Sequence, residues 1–157
     1  MLNKLTVDQI SSVWDYVRFA VDEALPPIAS TQRQRLSNIL TALMSGVMEC
    51  WAVYEKNEED KKITLYAVIL TLINSDECSG SKQLVVYAMA SMGFEIPRRL
   101  WKEGITGLVK YARSKGCERV VAYTNLDSMK NFFRLIGGEA EYTLLSLPVE
   151  SFDPGGI

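Results

Sequence analysis

The stretch Ile63 to Asn74, ITLYAVILTLIN, constrains this chain most. Alternate residues of an extended strand point to opposite faces. Ile63, Leu65, Ala67, Ile69 and Ile73 would share one face, and Tyr66, Val68, Leu70 and Leu72 the other. Both sets are apolar, so a strand here has to be covered on both sides. Leu84 to Ser91, LVVYAMAS, is a second strand of the same two-sided character. The chain is therefore expected to build a sheet between two other layers.

Helical periods supply those layers. Ile10, Trp14, Val17, Val21 and Leu25 recur at three- and four-residue spacing, widened by Val13, Ala20 and Ala24. They predict a helix of about five turns, with Thr6 and Asp8 as N-cap candidates and Pro26-Pro27 as its end. Ser30 and Thr31 are N-cap candidates for a second helix, whose stripe is Leu36, Ile39, Leu40, Leu43 and Val47 and whose end is Gly46. Residues 1–5 suit a short first strand. Met48 to Glu55 is rich in aromatic and β-branched residues and reads as a strand. With polar turns at Lys56–Lys61 and Ser75–Lys82, the three strands predict an antiparallel meander.

Pro97 then suits the first turn of a third helix. Leu100, Trp101, Ile105, Leu108, Val109 and Ala112 keep its period, and Gly116 is its stop. Arg119 to Thr124 is a buried strand, parallel to its predecessor because a helix separates them. Asp127 or Ser128 caps a short helix ending at Gly137-Gly138, and Glu141 to Leu147 is a last strand. The expected fold is α/β (α+β) in the order β-α-α-β-β-β-α-β-α-β, with a mixed, mostly antiparallel sheet. Residues 1–150 form one domain and 151–157 a tail.

Composition narrows the chemistry. A net charge of −2 with no basic face argues against nucleic acid. No apolar run approaches the roughly 18 residues of a membrane span, and MLNKLTVDQ lacks the apolar core of a signal peptide. The three cysteines, Cys50, Cys78 and Cys117, are an odd number without a CxxC, which fits a reducing compartment and no metal. There is no histidine, so no Ser-His or Cys-His arrangement exists within the chain. Acid–base work would fall to carboxylate, Tyr, Cys, Lys or a chain terminus. Glu49 and Glu95 are candidate bases, though such carboxylates are usually only solvated. Cys117 reads as a small packed residue.

The element order, together with ARSKGCERVVAYTN and NLDSMKNFFRLIGG, resembles the GNAT (Gcn5-related N-acetyltransferase) superfamily over nearly the whole chain. Asn125, Ser128, Phe132, Phe133 and Gly137 approximate its N-x-x-A-x-x-[L/F]-Y-x-x-x-G-F pattern, with one extra residue. The resemblance implies acetyl-CoA held between the fourth and fifth strands, its pyrophosphate on a [Q/R]-x-x-G-x-[G/A] loop opening the central helix. Here that loop is GFEIPRRLWKEG. Aligned on Ala112 and Gly116, the pattern falls on Ile96 to Trp101 and finds neither glycine. Aligned on Arg99, it keeps only the last glycine, Gly104, with Lys102 in place of the first.

The cofactor-binding residues this implies are Ala90, Ser91, Arg98, Arg99, Lys102 and Asn125. Arg98 and Arg99 would replace lost amides by guanidinium contacts, and Trp101 would occupy space a cofactor needs. The family's proton-donating Tyr corresponds to Phe133, which has no ionisable proton. Tyr123 and Tyr142 lie nearby in sequence and read as strand residues. The chain is also similar to small divergent GNAT-like proteins of tailed bacteriophages. That likeness implies a degenerate acyl-CoA site, no cofactor, and a non-catalytic structural or morphogenesis role with protein partners or a homo-oligomer, in the host cytoplasm or the virion. The alternative is an acetyl-CoA-dependent N-acetyltransferase working by direct attack of an amine.

Overall fold

The computed structural model describes residues 1–26, 33–124 and 127–140. They fall into two units, 1–123 and 124–157. In the first, β1 (Leu2–Lys4), α1 (Val7–Glu23), α2 (Arg35–Met44), β2 (Glu49–Lys56), β3 (Ile63–Ser75), β4 (Lys82–Ser91), α3 (Arg98–Ser114) and β5 (Arg119–Ala122) follow in chain order. The sheet runs β1-β2-β3-β4-β5; only the β4–β5 pair is parallel. The expected last strand and the tail lie outside the described residues, as do Ser30 and Thr31.

α1 starts where its sequence says. The Thr6 hydroxyl accepts from the Gln9 N–H, and the Gln9 side chain accepts from the Thr6 N–H. This reciprocal pair satisfies two otherwise unbonded donors. α2 begins at Arg35 with Gln34 as N-cap, which makes no side-chain cap bond. The Arg35 guanidinium instead grips Asp22 of α1 through both carboxylate oxygens, at 2.5 and 2.7 Å. Val47, expected on the α2 stripe, lies beyond the helix and is 70% exposed. Gly46, at φ +75°, has already turned the chain.

Two apolar clusters sandwich the sheet. On one face Ile10, Val17 and Val21 of α1 and Ile39 and Leu43 of α2 pack on Cys50, Val68, Leu70, Ala88 and Ala90. On the other, Leu100, Leu108 and Ala112 of α3 pack on Trp51, Val53, Ala67, Ile69, Leu84 and Val86. The three α3 residues lie eight and four apart, and with the buried Gly104 between the first two they form a single stripe; Val109 stands outside it and is exposed.

A bulge corrects the expected facing of β3. Val53 pairs with Ala67 but Tyr54 pairs with Leu65, so Tyr66 is extra. Leu65 therefore joins the α1/α2 face and Tyr66 the α3 face, because one unpaired residue inverts the alternation. Among the described residues no helix is long and apolar enough to cross a membrane.

The second unit contains α4 (Asp127–Leu135). It closes with the Gly138 N–H bonded to the Phe133 carbonyl at 2.8 Å and Gly137 at φ +88°, the left-handed helix ending that glycine permits.

Candidate functional site

The β4–β5 ladder is short. It runs from Gln83 opposite Arg119 to Val86 opposite Ala122 and stops, two residues before the expected end of β5 at Thr124. β4 continues to Ser91, still paired with β3. Among the described residues, the stretch Tyr87 to Ser91 thus has a strand on one side only. A second bulge sits where the ladder stops. Leu70 pairs with Ala88 and Thr71 with Val86, so Tyr87 has no β3 partner. The bulge also turns the strand over. Leu84 and Val86 face α3, whereas Ala88 and Ala90 face α1 and α2. Bulges bend a strand and re-aim its side chains, and this one separates the paired half of β4 from its free half.

β4 leads directly to α3. The Met92 N–H bonds to the Tyr66 carbonyl at 2.9 Å, and Gly93 turns the chain at φ +83°. The first bond back along α3 runs from the Trp101 N–H to the Pro97 carbonyl, at 3.2 Å. The N–H groups of Arg98, Arg99 and Leu100 therefore precede the helical ladder at the positive end of its dipole. Pro97 contributes none. Gly104 is buried in the second turn of α3, so it does not border this loop. The alignment that keeps it as a phosphate-loop glycine does not fit, and Gly93 is the glycine the loop contains.

The residues expected at this site come together unevenly. Ala90 is buried on the α1/α2 face and offers backbone only. Ser91 is exposed at the end of β4. Arg98 and Lys102 are exposed on the first turns of α3, and Arg98 forms no salt bridge among the described residues. Arg99 is engaged: it donates to Glu103 at 2.6 Å and to Glu55 at the end of β2. The guanidinium holds the Glu103 carboxyl below its ordinary range. Glu55 also accepts from the Tyr66 hydroxyl at 3.0 Å, and the Phe94 ring meets Tyr66 edge-on at 6.2 Å. Phe94 thus stands against β3. Trp101 is half-buried. Asn125 lies outside the described residues, as does Tyr142. Phe133 belongs to α4 of the second unit.

The candidate bases and nucleophiles are placed elsewhere. Glu49 lies on the α3 face, accepting the Tyr111 hydroxyl and pairing with Lys4 at 3.1 Å. Burial and this carboxylate push the Tyr111 phenol up. The row of Glu49 continues through Thr71 to Val86. At a strand spacing of about 4.8 Å, it is on the order of 10 Å from β4. Glu95 is exposed in the loop. Burial pushes the Cys50 thiol up to about 12, which leaves it protonated at neutral pH. Cys117 packs against the α3-side cluster. No group of His, Cys, Asp and Glu among the described residues could hold a metal ion.

What sequence reasoning missed is the bulge at Tyr87 and the Glu55–Arg99–Glu103 cluster. The run VVYAMA is apolar at every position, so no break in alternation marks the bulge. Glu55 and Arg99 are 44 residues apart.

No protein-family profile and no curated protein matches the sequence. Solved structures do. A Trypanosoma brucei acetyltransferase superposes with a TM-score of 0.63 at 17% identity, over 95% of this chain and 99% of the other. A ribosomal-protein-alanine N-acetyltransferase from Brucella melitensis gives 0.65 at 11%, over 94% and 99%. A glucosamine-6-phosphate N-acetyltransferase from Arabidopsis thaliana gives 0.63 at 13%, over 95% and 97%. At such identities the likeness concerns the fold, and the fold of this chain is that of the GNAT acetyltransferases.

Proposed function

We propose that the chain binds an acyl-CoA along the free edge of β4 and transfers the acyl group to an amine by direct attack. The observation that carries this reading is the early stop of the β4–β5 ladder, with five further β4 residues leading into the N-terminus of α3. The free edge offers backbone groups to the amides of a pantetheine arm, as an added strand would. The pyrophosphate then meets the N–H groups of Arg98, Arg99 and Leu100, with the Arg98 and Lys102 side chains beside it. Direct attack fits because no cysteine is offered to the free edge: Cys50 is buried and protonated, Cys117 packs against the α3-side cluster, and Cys78 lies in the turn between β3 and β4. Acetyltransferase neighbours add support.

A second reading is favoured by the locked state of Arg99. Two carboxylates hold the guanidinium that would face phosphate, and Phe133 brings no proton. Under this reading the acyl-CoA site is degenerate, and the chain is a non-catalytic, phage-type structural or morphogenesis protein that binds a protein partner or itself. Calorimetric titration with acetyl-CoA separates the two. Micromolar binding, weakened about tenfold by Arg98→Ala, supports the first. No heat and no thermal shift at millimolar acetyl-CoA supports the second.

A further inference from the structure

Acyl transfer by direct attack leaves one proton to be moved, and Phe133 cannot move it. The β4 bulge supplies a group that can. Because of it, Tyr87 and Ala88 are consecutive residues on the same, α1/α2 face of the sheet. Tyr87 is half-buried against that cluster, so its ring is held by packing. The last rung of the parallel ladder is Val86 opposite Ala122, and the next residues along both strands are tyrosines, Tyr87 and Tyr123. Neighbouring strands lie about 4.8 Å apart, so the two phenols flank the point where the ladder stops. Burial and then the nearby charge of Tyr123 raise the Tyr87 phenol; like any phenol it carries its proton at neutral pH. Tyr123 is 43% exposed.

The direction of the bound thioester follows from the same geometry. With its pyrophosphate at the start of α3, beyond Ser91, the pantetheine arm runs back along β4. The free stretch from Tyr87 to Ser91 spans about 13 Å at the rise of an extended strand. The reacting end therefore lies where the free edge begins, beside Tyr87.

We propose that Tyr87 is the proton donor to the leaving thiolate, with Tyr123 as its neighbour across the end of the ladder. This assignment rests on the acyl-transfer reading above. The neutral amine nitrogen attacks the thioester carbonyl carbon and a C–N bond forms. The C–S bond breaks and sulfur leaves with the electron pair. The phenol gives its proton to sulfur, and the phenolate takes the proton the nitrogen sheds. The products are an amide and a thiol, and no other reactant is needed.

The test is Tyr87→Phe in the full chain, which keeps the packed ring, beside Tyr123→Phe. Acetyl-CoA affinity is read by calorimetry. Single-turnover thiol release is read with a tetrapeptide acceptor carrying a free α-amine and one lysine. Tyr87→Phe is expected to bind acetyl-CoA within about twofold of the wild type and to transfer about 100-fold more slowly, while Tyr123→Phe loses less. An acetyl thioester of an acidic aryl thiol, whose leaving group needs no proton, is expected to narrow the gap between Tyr87→Phe and wild type. Undiminished transfer by Tyr87→Phe, or an equal deficit with the aryl thioester, overturns the assignment. So does a wild type that binds acetyl-CoA without releasing thiol. If Tyr87→Phe does not fold, the aryl thioester decides on Tyr123→Phe and wild type: an unchanged dependence on leaving-group acidity in wild type, as in uncatalysed aminolysis, overturns it. A wild type that binds no acetyl-CoA overturns the acyl-transfer reading itself.

Discussion

The hydroxyl of Thr71 is buried in the sheet and accepts from the Trp51 indole N–H at 2.8 Å. A buried polar group is tolerated when it is paired, and costs free energy when its partner is removed. Thr71→Val keeps the shape but leaves the indole N–H without its partner. It is expected to lower stability by about 1–3 kcal/mol, as urea unfolding would show. Asp22 gives a test in pH. Its hydrogen bond to Arg35 holds its carboxyl below the ordinary 3.8. A depressed folded-state pKa stabilises above the unfolded value and loses that contribution as pH falls through the folded value. Both side chains are about a third exposed, so the effect is small. Asp22→Asn should be slightly less stable than the wild type at pH 6, with the difference vanishing as the pH is lowered below that of the folded carboxyl. Neither pair was legible in the sequence. Trp51 and Thr71 are 20 residues apart, Asp22 and Arg35 are 13 apart, and nothing local marks them as partners.

Elements were far more legible than their details. α1 was legible through its three- and four-residue spacing and the Thr6 cap, the meander through its polar turns, and α3 through Pro97 and Gly116. The two β-bulges were not. Each sits in a run that is apolar on both faces, at Tyr66 and Tyr87, where an inserted residue leaves the composition of either face unchanged. α3 carries its own test. Gly104 is buried in the helix, and a Cβ added there meets no atom within 4 Å. Gly104→Ala is expected to stabilise the chain by about 0.5–1 kcal/mol through helix propensity, and to leave acetyl-CoA binding unchanged. A large loss of binding would restore Gly104 to the phosphate loop. Gly107 differs, because a Cβ there would come within 2.8 Å of the Leu2 side chain. Its hydrogen leaves room for the Leu2 side chain against α3.

For the whole molecule, the two-sided run at Ile63–Asn74 carried most of the architecture. A strand apolar on both faces requires two covering layers, and α1 with α2 and α3 supply them. The site was legible only in outline. The sequence places β4, the loop and α3 in order, and shows Arg98, Arg99 and Lys102 at the helix opening. It does not show that the β5 ladder stops at Ala122, nor that Glu55 and Glu103 occupy Arg99. Those features bear on whether the edge accepts an acyl-CoA, and they pull in opposite directions. Releasing Arg99 should therefore matter: Glu55→Gln is expected to tighten acetyl-CoA binding several-fold in calorimetry, since one carboxylate no longer competes with phosphate. The free edge itself is tested most directly by amide hydrogen exchange with and without saturating acetyl-CoA. Slowed exchange is expected, concentrated at residues 87–91 and 98–100. Exchange unchanged there, while the ligand is bound elsewhere or not at all, would contradict it.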